Sequence, residues 1–218
     1  MSRARIAVLA SGGGSNLQAI LDHFTELGES RSGDVVLVAS NNVDAGALRR
    51  AEAASITPAV LRSPRVPEGL TLEPLLREHD VDLVVLAGYM RLVPPEVTHA
   101  FRGRMLNVHP ALLPAFGGPG MYGERVHRAV IAAGARESGP TVHFVDEVYD
   151  HGPVIAQLPV PVLPDDDAHA LAARVLRAEH QLYPRVVDAV AGGRVRLLSD
   201  GRVDRGPFAE IRLATLDA

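Results

Sequence analysis

Hydrophobic positions along this chain fall into two kinds of run that alternate with each other. Arg5-Ile-Ala-Val-Leu-Ala-Ser11, Val35-Val-Leu-Val-Ala-Ser40 and Val81-Asp-Leu-Val-Val-Leu-Ala-Gly88 are short, nearly unbroken apolar segments, the pattern of strands buried on both faces. Between the first two, Leu17, Ile20, Leu21 and Phe24 recur at helical spacing. Helices are predicted over 44–54 and from Leu72 to His79, with a short strand at Ala59-Val-Leu61 and a loop over 62–69 marked by Pro64 and Pro67. Pro94-Pro95 opens a further helix to about Phe101, and Arg104-Met-Leu-Asn-Val-His-Pro-Ala-Leu-Leu-Pro114 begins as the next strand.

The second half continues with a glycine-rich loop, Ala115 to Met121, which could serve as a lid, and a helix from about Gly123 to Ala133. Thr141-Val-His-Phe-Val145 alternates as a strand. The loop Asp146-Glu-Val-Tyr-Asp-His-Gly152 leads to another strand over Val154–Val160. Asp165-Asp-Asp167 starts a long amphipathic helix, marked by Leu171, Val175, Leu182, Val186 and Val190 and stopped by Gly192-Gly193. From Arg194 onward the chain reads as one or two short edge strands. The expected fold class is α/β: one domain over 1–218 with a doubly wound, mostly parallel sheet and a Rossmann-like N-terminal half.

Composition narrows the function classes. At 218 residues, 47% hydrophobic and 22% charged, the chain can bury a sizeable core. A net charge of −4 gives no diffuse basic field for nucleic acid, so an anionic ligand must be held by a local site. The chain has no cysteine, which excludes disulfides, thiol chemistry and most structural zinc sites. No apolar run approaches the roughly 18 residues of a membrane span, and no signal-peptide core precedes the first strand. A cytoplasmic protein with no membrane or nucleic-acid partner is expected, as a monomer or a homodimer.

Three stretches carry candidate chemistry. Asn107 and His109 are two residues apart on one strand, so both side chains leave the same face at its end, while Leu106 and Val108 point the other way. Gly12-Gly13-Gly14-Ser15-Asn16 joins the first strand to the first helix, where glycines admit a close ligand and the helix terminus offers unpaired N–H groups to a phosphate. A dinucleotide site fits poorly: Leu17 stands where a third glycine belongs, and the second strand ends in Asn41-Asn42 without an acidic residue. A phosphomonoester fits better. Tyr89-Met-Arg-Leu-Val93 follows the central strand at its carboxyl end, where ligands of open α/β sheets bind.

An Asn amide, a His imidazole and the loop carboxylate of Asp150 suit acyl transfer to a nucleophile supplied by the substrate. Asn107 can donate to a developing oxyanion, His109 can act as general acid, and Asp150 can orient His109. Two alternatives stay open at this stage. One is metal-assisted hydrolysis through His109, His143 and Asp150, which lacks a short-spaced ligand pair; the other is a non-catalytic module that binds a phosphate ligand.

Taken with Ser11-Gly-Gly-Gly-Ser-Asn-Leu-Gln-Ala19, Leu86-Ala-Gly-Tyr-Met-Arg-Leu-Val93, Thr141-Val-His-Phe-Val145 and Asp150-His-Gly-Pro-Val-Ile155, these residues resemble the phosphoribosylglycinamide formyltransferase family from Ile6 to about Arg196. The resemblance implies the formyltransferase fold, with a phosphate-binding half over about 1–100, a folate and catalytic half over about 101–198 and a C-terminal tail over 199–218. It implies transfer of formyl from 10-formyltetrahydrofolate, a cosubstrate, to the amine of glycinamide ribonucleotide in de novo purine biosynthesis, without a metal. His109, Asn107 and Asp150 would be catalytic; Gly14, Ser15, Asn16 and Glu179 would bind the ribonucleotide. Arg65, Met90, Arg91, Leu92 and Val93, with Asn107, would bind folate. His143 would be supportive. The Asn/His/Asp set is common to folate formyltransferases, including the methionyl-tRNA enzyme, whereas the Gly14-Ser15-Asn16 loop points to the phosphoribosyl member.

Overall fold

Eleven strands and six α-helices are found among residues 2–206, the part of the chain that the computed structural model describes. The first half runs β1 (Ala4–Leu9), α1 (Ser15–Leu27), β2 (Gly33–Ser40), α2 (Gly46–Ala53), β3 (Thr57–Val60), α3 (Leu72–Glu78), β4 (Leu83–Leu86) and α4 (Pro95–Ala100). The second runs β5 (Met105–His109), α5 (Glu124–Ala132), β6 (Glu137–Ser138), β7 (Thr141–Phe144), β8 (Val154–Gln157), β9 (Val160–Pro161), α6 (Ala168–Ala191), β10 (Arg196–Leu197) and β11 (Val203–Asp204).

Seven strands form one sheet in the order β3-β2-β1-β4-β5-β7-β8. The first five are parallel; β7 and β8 join antiparallel, so the expected mostly parallel sheet is observed. Strand order reverses between β1 and β4, which opens a crevice at their carboxyl ends. Two apolar layers cover the sheet. Leu17, Ala47, Val126 and Leu182 place α1, α2, α5 and α6 on one face, whereas Leu72, Leu76 and Val97 place α3 and α4 on the other. Tyr183 of α6 is fully buried, and its hydroxyl donates toward the carbonyls of Leu86 (2.9 Å) and Leu106 (3.2 Å), bracing β4 against β5 beneath the crevice.

Two departures from the sequence reading have local causes. The segment read as one strand over Val154–Val160 divides at Pro159: β8 ends at Gln157, and β9 pairs with β6 instead. β3 starts earlier than Ala59, with Pro58 inside it, which its position at the sheet edge permits. The described part of the tail forms the antiparallel pair β10–β11, while residues 207–218 lie outside the described part. Asp167 caps α6 by accepting from the Ala170 N–H at 2.7 Å, the role expected for that acidic cluster.

Candidate active site

β5 delivers its polar pair into a cavity of about 530 Å³ at the crevice. Register pairs Leu86 with Asn107 on one side, and His143 with Asn107 and Thr141 with His109 on the other. Leu106 and Val108 pack into the core shared with α1 and α6, while Asn107 and His109 both line the cavity. The turn after His109 is fixed by Thr141, whose hydroxyl donates to the Ala111 carbonyl (2.6 Å) and accepts from the Leu113 N–H (3.0 Å) and the Gln157 amide (2.9 Å).

His109 is only 3% exposed, and each ring nitrogen faces an acceptor. Nε2–H donates to the Phe116 carbonyl at 2.8 Å, and Nδ1 lies 3.4 Å from Asp150 Oδ2. Only the imidazolium can donate to both. Burial alone would push the Asp150 carboxyl up; the hydrogen bond and charge of His109 and the Gly118 N–H at 2.9 Å outweigh it and hold the group below the usual carboxylate range. Asp150 has φ 55°, a left-handed conformation that Asp and Asn tolerate better than most residues.

His143 sets the orientation of Asn107. Its Nδ1–H donates to the Phe144 carbonyl at 2.8 Å, so the neutral ring presents the lone pair of Nε2 to Asn107 Nδ2 at 3.1 Å. Burial lowers the His143 pKa and favours this neutral form. Asp150 Oδ1 stands 3.8 Å from the same Nε2.

In the same cavity, Asn16 Nδ2 donates to Glu179 Oε2 at 2.6 Å, and both side chains are buried. Asn16 Oδ1 has no hydrogen-bond partner among the described residues. Burial pushes the Glu179 carboxyl up to about 7, against the lowering effect of the Asn16 bond. Glu179 is thus no solvated helix charge. In the glycine loop, the carbonyls of Gly12 and Gly13 turn toward α2, where they accept from the Ala47 N–H (3.1 Å) and Arg50 Nε (2.8 Å). Gly14 has φ 76°, and a Cβ there would lie 2.8 Å from the Ala47 Cα; at Gly12 and Gly13 a Cβ would meet nothing within 4 Å. Ser15 opens onto an adjacent cavity with Gln18, Arg50, His180 and Arg185, in which His180 Nε2 is buried without a partner among the described residues.

Asn16, Met90, Arg91, Leu92, Val93, Asn107, His109, Asp150 and Glu179 therefore share one cavity wall, as the sequence reading grouped them. The Met90 N–H donates to Ser11 Oγ (2.8 Å), which donates to Asn41 Oδ1 (2.5 Å), tying the turn after β4 to the ends of β1 and β2. Met90, Leu92, Val148 and Tyr149 leave large apolar surface exposed at the cavity mouth. Gly14 and Ser15 do not line this cavity. Neither does Arg65, which is exposed in the tight turn where Ser63 bridges Val66. Among the described residues no group of three or more His, Cys, Asp or Glu is placed to hold a metal ion, and both His143 nitrogens are engaged by the protein. His127 and His180 escaped the sequence reading. For His127 the signal was its place beside Val126 and Val130 on the buried side of α5.

Comparison with known proteins identifies the family. A family model described as formyl transferase matches residues 4–187. Phosphoribosylglycinamide formyltransferase of Haemophilus influenzae is 39% identical over 201 residues, covering 88% of this chain and 90% of the relative. The chloroplastic phosphoribosylglycinamide formyltransferase of Vigna unguiculata is 48% identical over 91% of this chain, which spans 64% of that longer relative. The crystal structure of glycinamide ribonucleotide transformylase 1 from Symbiobacterium toebii superposes with a TM-score of 0.82 at 41% identity, covering 92% of this chain and 93% of that one. Fold, cavity and sequence converge on one assignment: the chain belongs to the formyl transferase family, among the phosphoribosylglycinamide formyltransferases.

Proposed function

We propose that this chain transfers the formyl group of 10-formyltetrahydrofolate to the amine of glycinamide ribonucleotide, a step of purine synthesis. The observation that carries the reading is that one cavity joins the Asn107, His109 and Asp150 cluster to the Asn16–Glu179 pair. The amine nitrogen attacks the formyl carbon, and the carbonyl oxygen becomes an oxyanion. Collapse breaks the bond to folate N10, which leaves with a proton while the amine gives one up.

Asn107, its amide oriented by His143, has a second N–H for the oxyanion. The imidazolium of His109 can turn its Nε2–H from the Phe116 carbonyl to the formyl oxygen, and Asp150 balances its charge. Preorganised donors of this kind contribute roughly 10²–10³ in rate, and a positioned general acid roughly 10²–10⁴.

The phosphate would rest on the N–H side of Gly12, Gly13 and the first turn of α1, beside Ser15, because the loop carbonyls point away from it. Glu179 and Asn16 would face the ribose and glycinamide portions. The apolar mouth formed by Met90, Leu92, Val148 and Tyr149 fits a pterin and its aromatic linker, with Arg91 at the rim, whereas Arg65 does not line the cavity. The phosphate end then belongs to the first half of the chain, about 1–100, and the catalytic strand and loop to the second, about 101–198. A turnover assay offering formyl-folate with either glycinamide ribonucleotide or initiator methionyl-tRNA tests the reading: formylated ribonucleotide alone is expected, and formyl transfer to the tRNA alone would overturn it.

A further inference from the structure

Four histidines line the main cavity: His109, His127, His143 and His169. The first and third have protein partners for both ring nitrogens, and His169 is exposed at the start of α6. His127 differs from all of these. It is 5% exposed, and its Nδ1 is buried with no hydrogen-bond partner among the described residues. Glu124, one turn earlier on α5, is held by Arg128 at 2.7 Å, and the flanking Val126 and Val130 are fully buried. A polar ring left unpartnered among apolar neighbours costs stability that a leucine there would not. A fold gains nothing from it.

α5 lies with α1 and α6 on the face of the sheet that supplies Asn16 and Glu179. Burial, and then the charge of His109, lower the His127 pKa, so the ring is neutral. A neutral imidazole offers one donor and one acceptor, which suits a hydroxyl or amide rather than a phosphate. We propose that His127 is a further substrate-contacting residue, hydrogen-bonding the sugar hydroxyl or amide portion of the amine-bearing ribonucleotide and holding it against His109. This rests on the function proposed above.

The test compares His127→Leu and His127→Gln with wild type in thermal unfolding and in steady-state kinetics with each substrate varied. His127→Leu should melt at or above the wild-type temperature and raise KM for glycinamide ribonucleotide about tenfold or more, the effect of losing one hydrogen bond. KM for formyl-folate should stay within about twofold, and His127→Gln, which keeps a donor and an acceptor, should lie between wild type and Leu. A folded Leu variant with the wild-type KM for the ribonucleotide, or with both KM values raised alike, would overturn the assignment. Should the Leu variant fail to fold, the same two KM values in His127→Gln decide. Wild-type protein that formylates no ribonucleotide would remove the proposed function and this contact with it, whereas an active wild type with unchanged variants removes the contact alone.

Discussion

Asn16, at the start of α1, and Glu179, within α6, are 163 residues apart in sequence and 2.6 Å apart in space. Both side chains line the cavity that also holds the His109–Asp150 pair. A buried carboxylate tied to a single amide is a poor stability device, because desolvation of its charge outweighs one neutral donor. That imbalance makes the pair a sensitive place to separate function from folding.

Glu179 titrates near 7 in the fold, against 4.5 for an exposed glutamate. Between those values the unfolded chain has lost its proton while the folded chain keeps it, so stability falls as pH rises through this window, by at most about 3 kcal/mol. Glu179→Gln keeps an acceptor for Asn16 and removes the charge. Denaturant unfolding at pH 8 should find the variant more stable than wild type, with the gap closing by pH 5, while its kcat/KM for the ribonucleotide drops. A variant less stable than wild type at pH 8 would contradict this.

Asp150 behaves in the opposite sense. Its carboxyl is held below the usual value of 3.8, so its contribution to stability is present above that pH and is lost as pH falls through the depressed value. Asn suits the left-handed backbone at this position, so Asp150→Asn removes charge without adding strain. The variant should fold, lose roughly 10²-fold or more in kcat through a weakened His109 imidazolium, and show a shifted basic limb in its pH–rate profile. An unshifted profile at full rate would leave Asp150 as a turn residue only.

The glycine loop separates packing from binding. A side chain at Gly14 collides with Ala47 and must adopt φ 76°, whereas a methyl at Gly13 enters open space on the side expected for phosphate. Gly14→Ala should therefore lower Tm and hamper folding. Gly13→Ala should leave Tm near wild type yet raise KM for the ribonucleotide while sparing formyl-folate. Equal KM values in Gly13→Ala and wild type would move the phosphate elsewhere.

Much of the fold was legible because its strands are apolar on both faces and its helices carry a clear period. β1, β4 and α6 could be placed from Ile6–Leu9, Leu83–Leu86 and the series from Leu171 to Val190. The two-residue strands β6, β9, β10 and β11 carry no period to read, and the antiparallel entry of β7 is decided by its pairing with β5. The grouping of Asn107, His109 and Asp150 followed from strand alternation and from the loop after β7. The His143–Asn107 bond, the unpartnered His127 and His180, and the brace from Tyr183 depend on which surfaces meet across the sheet. No local pattern encodes those contacts. Arg65 shows the converse, since a residue placed by register alone, with no motif around it, does not line the cavity.

Under the proposed function, His109, poised between Asp150 and the Phe116 carbonyl, moves formyl from folate to the ribonucleotide amine. The most direct test is a single-turnover assay with saturating glycinamide ribonucleotide and 10-formyltetrahydrofolate, comparing wild type with His109→Ala. Wild type should yield formylated ribonucleotide, and the variant should bind both substrates yet transfer roughly 10²–10⁴-fold more slowly. Wild-type transfer rates in His109→Ala, or no formylated ribonucleotide from the wild type, would contradict the account.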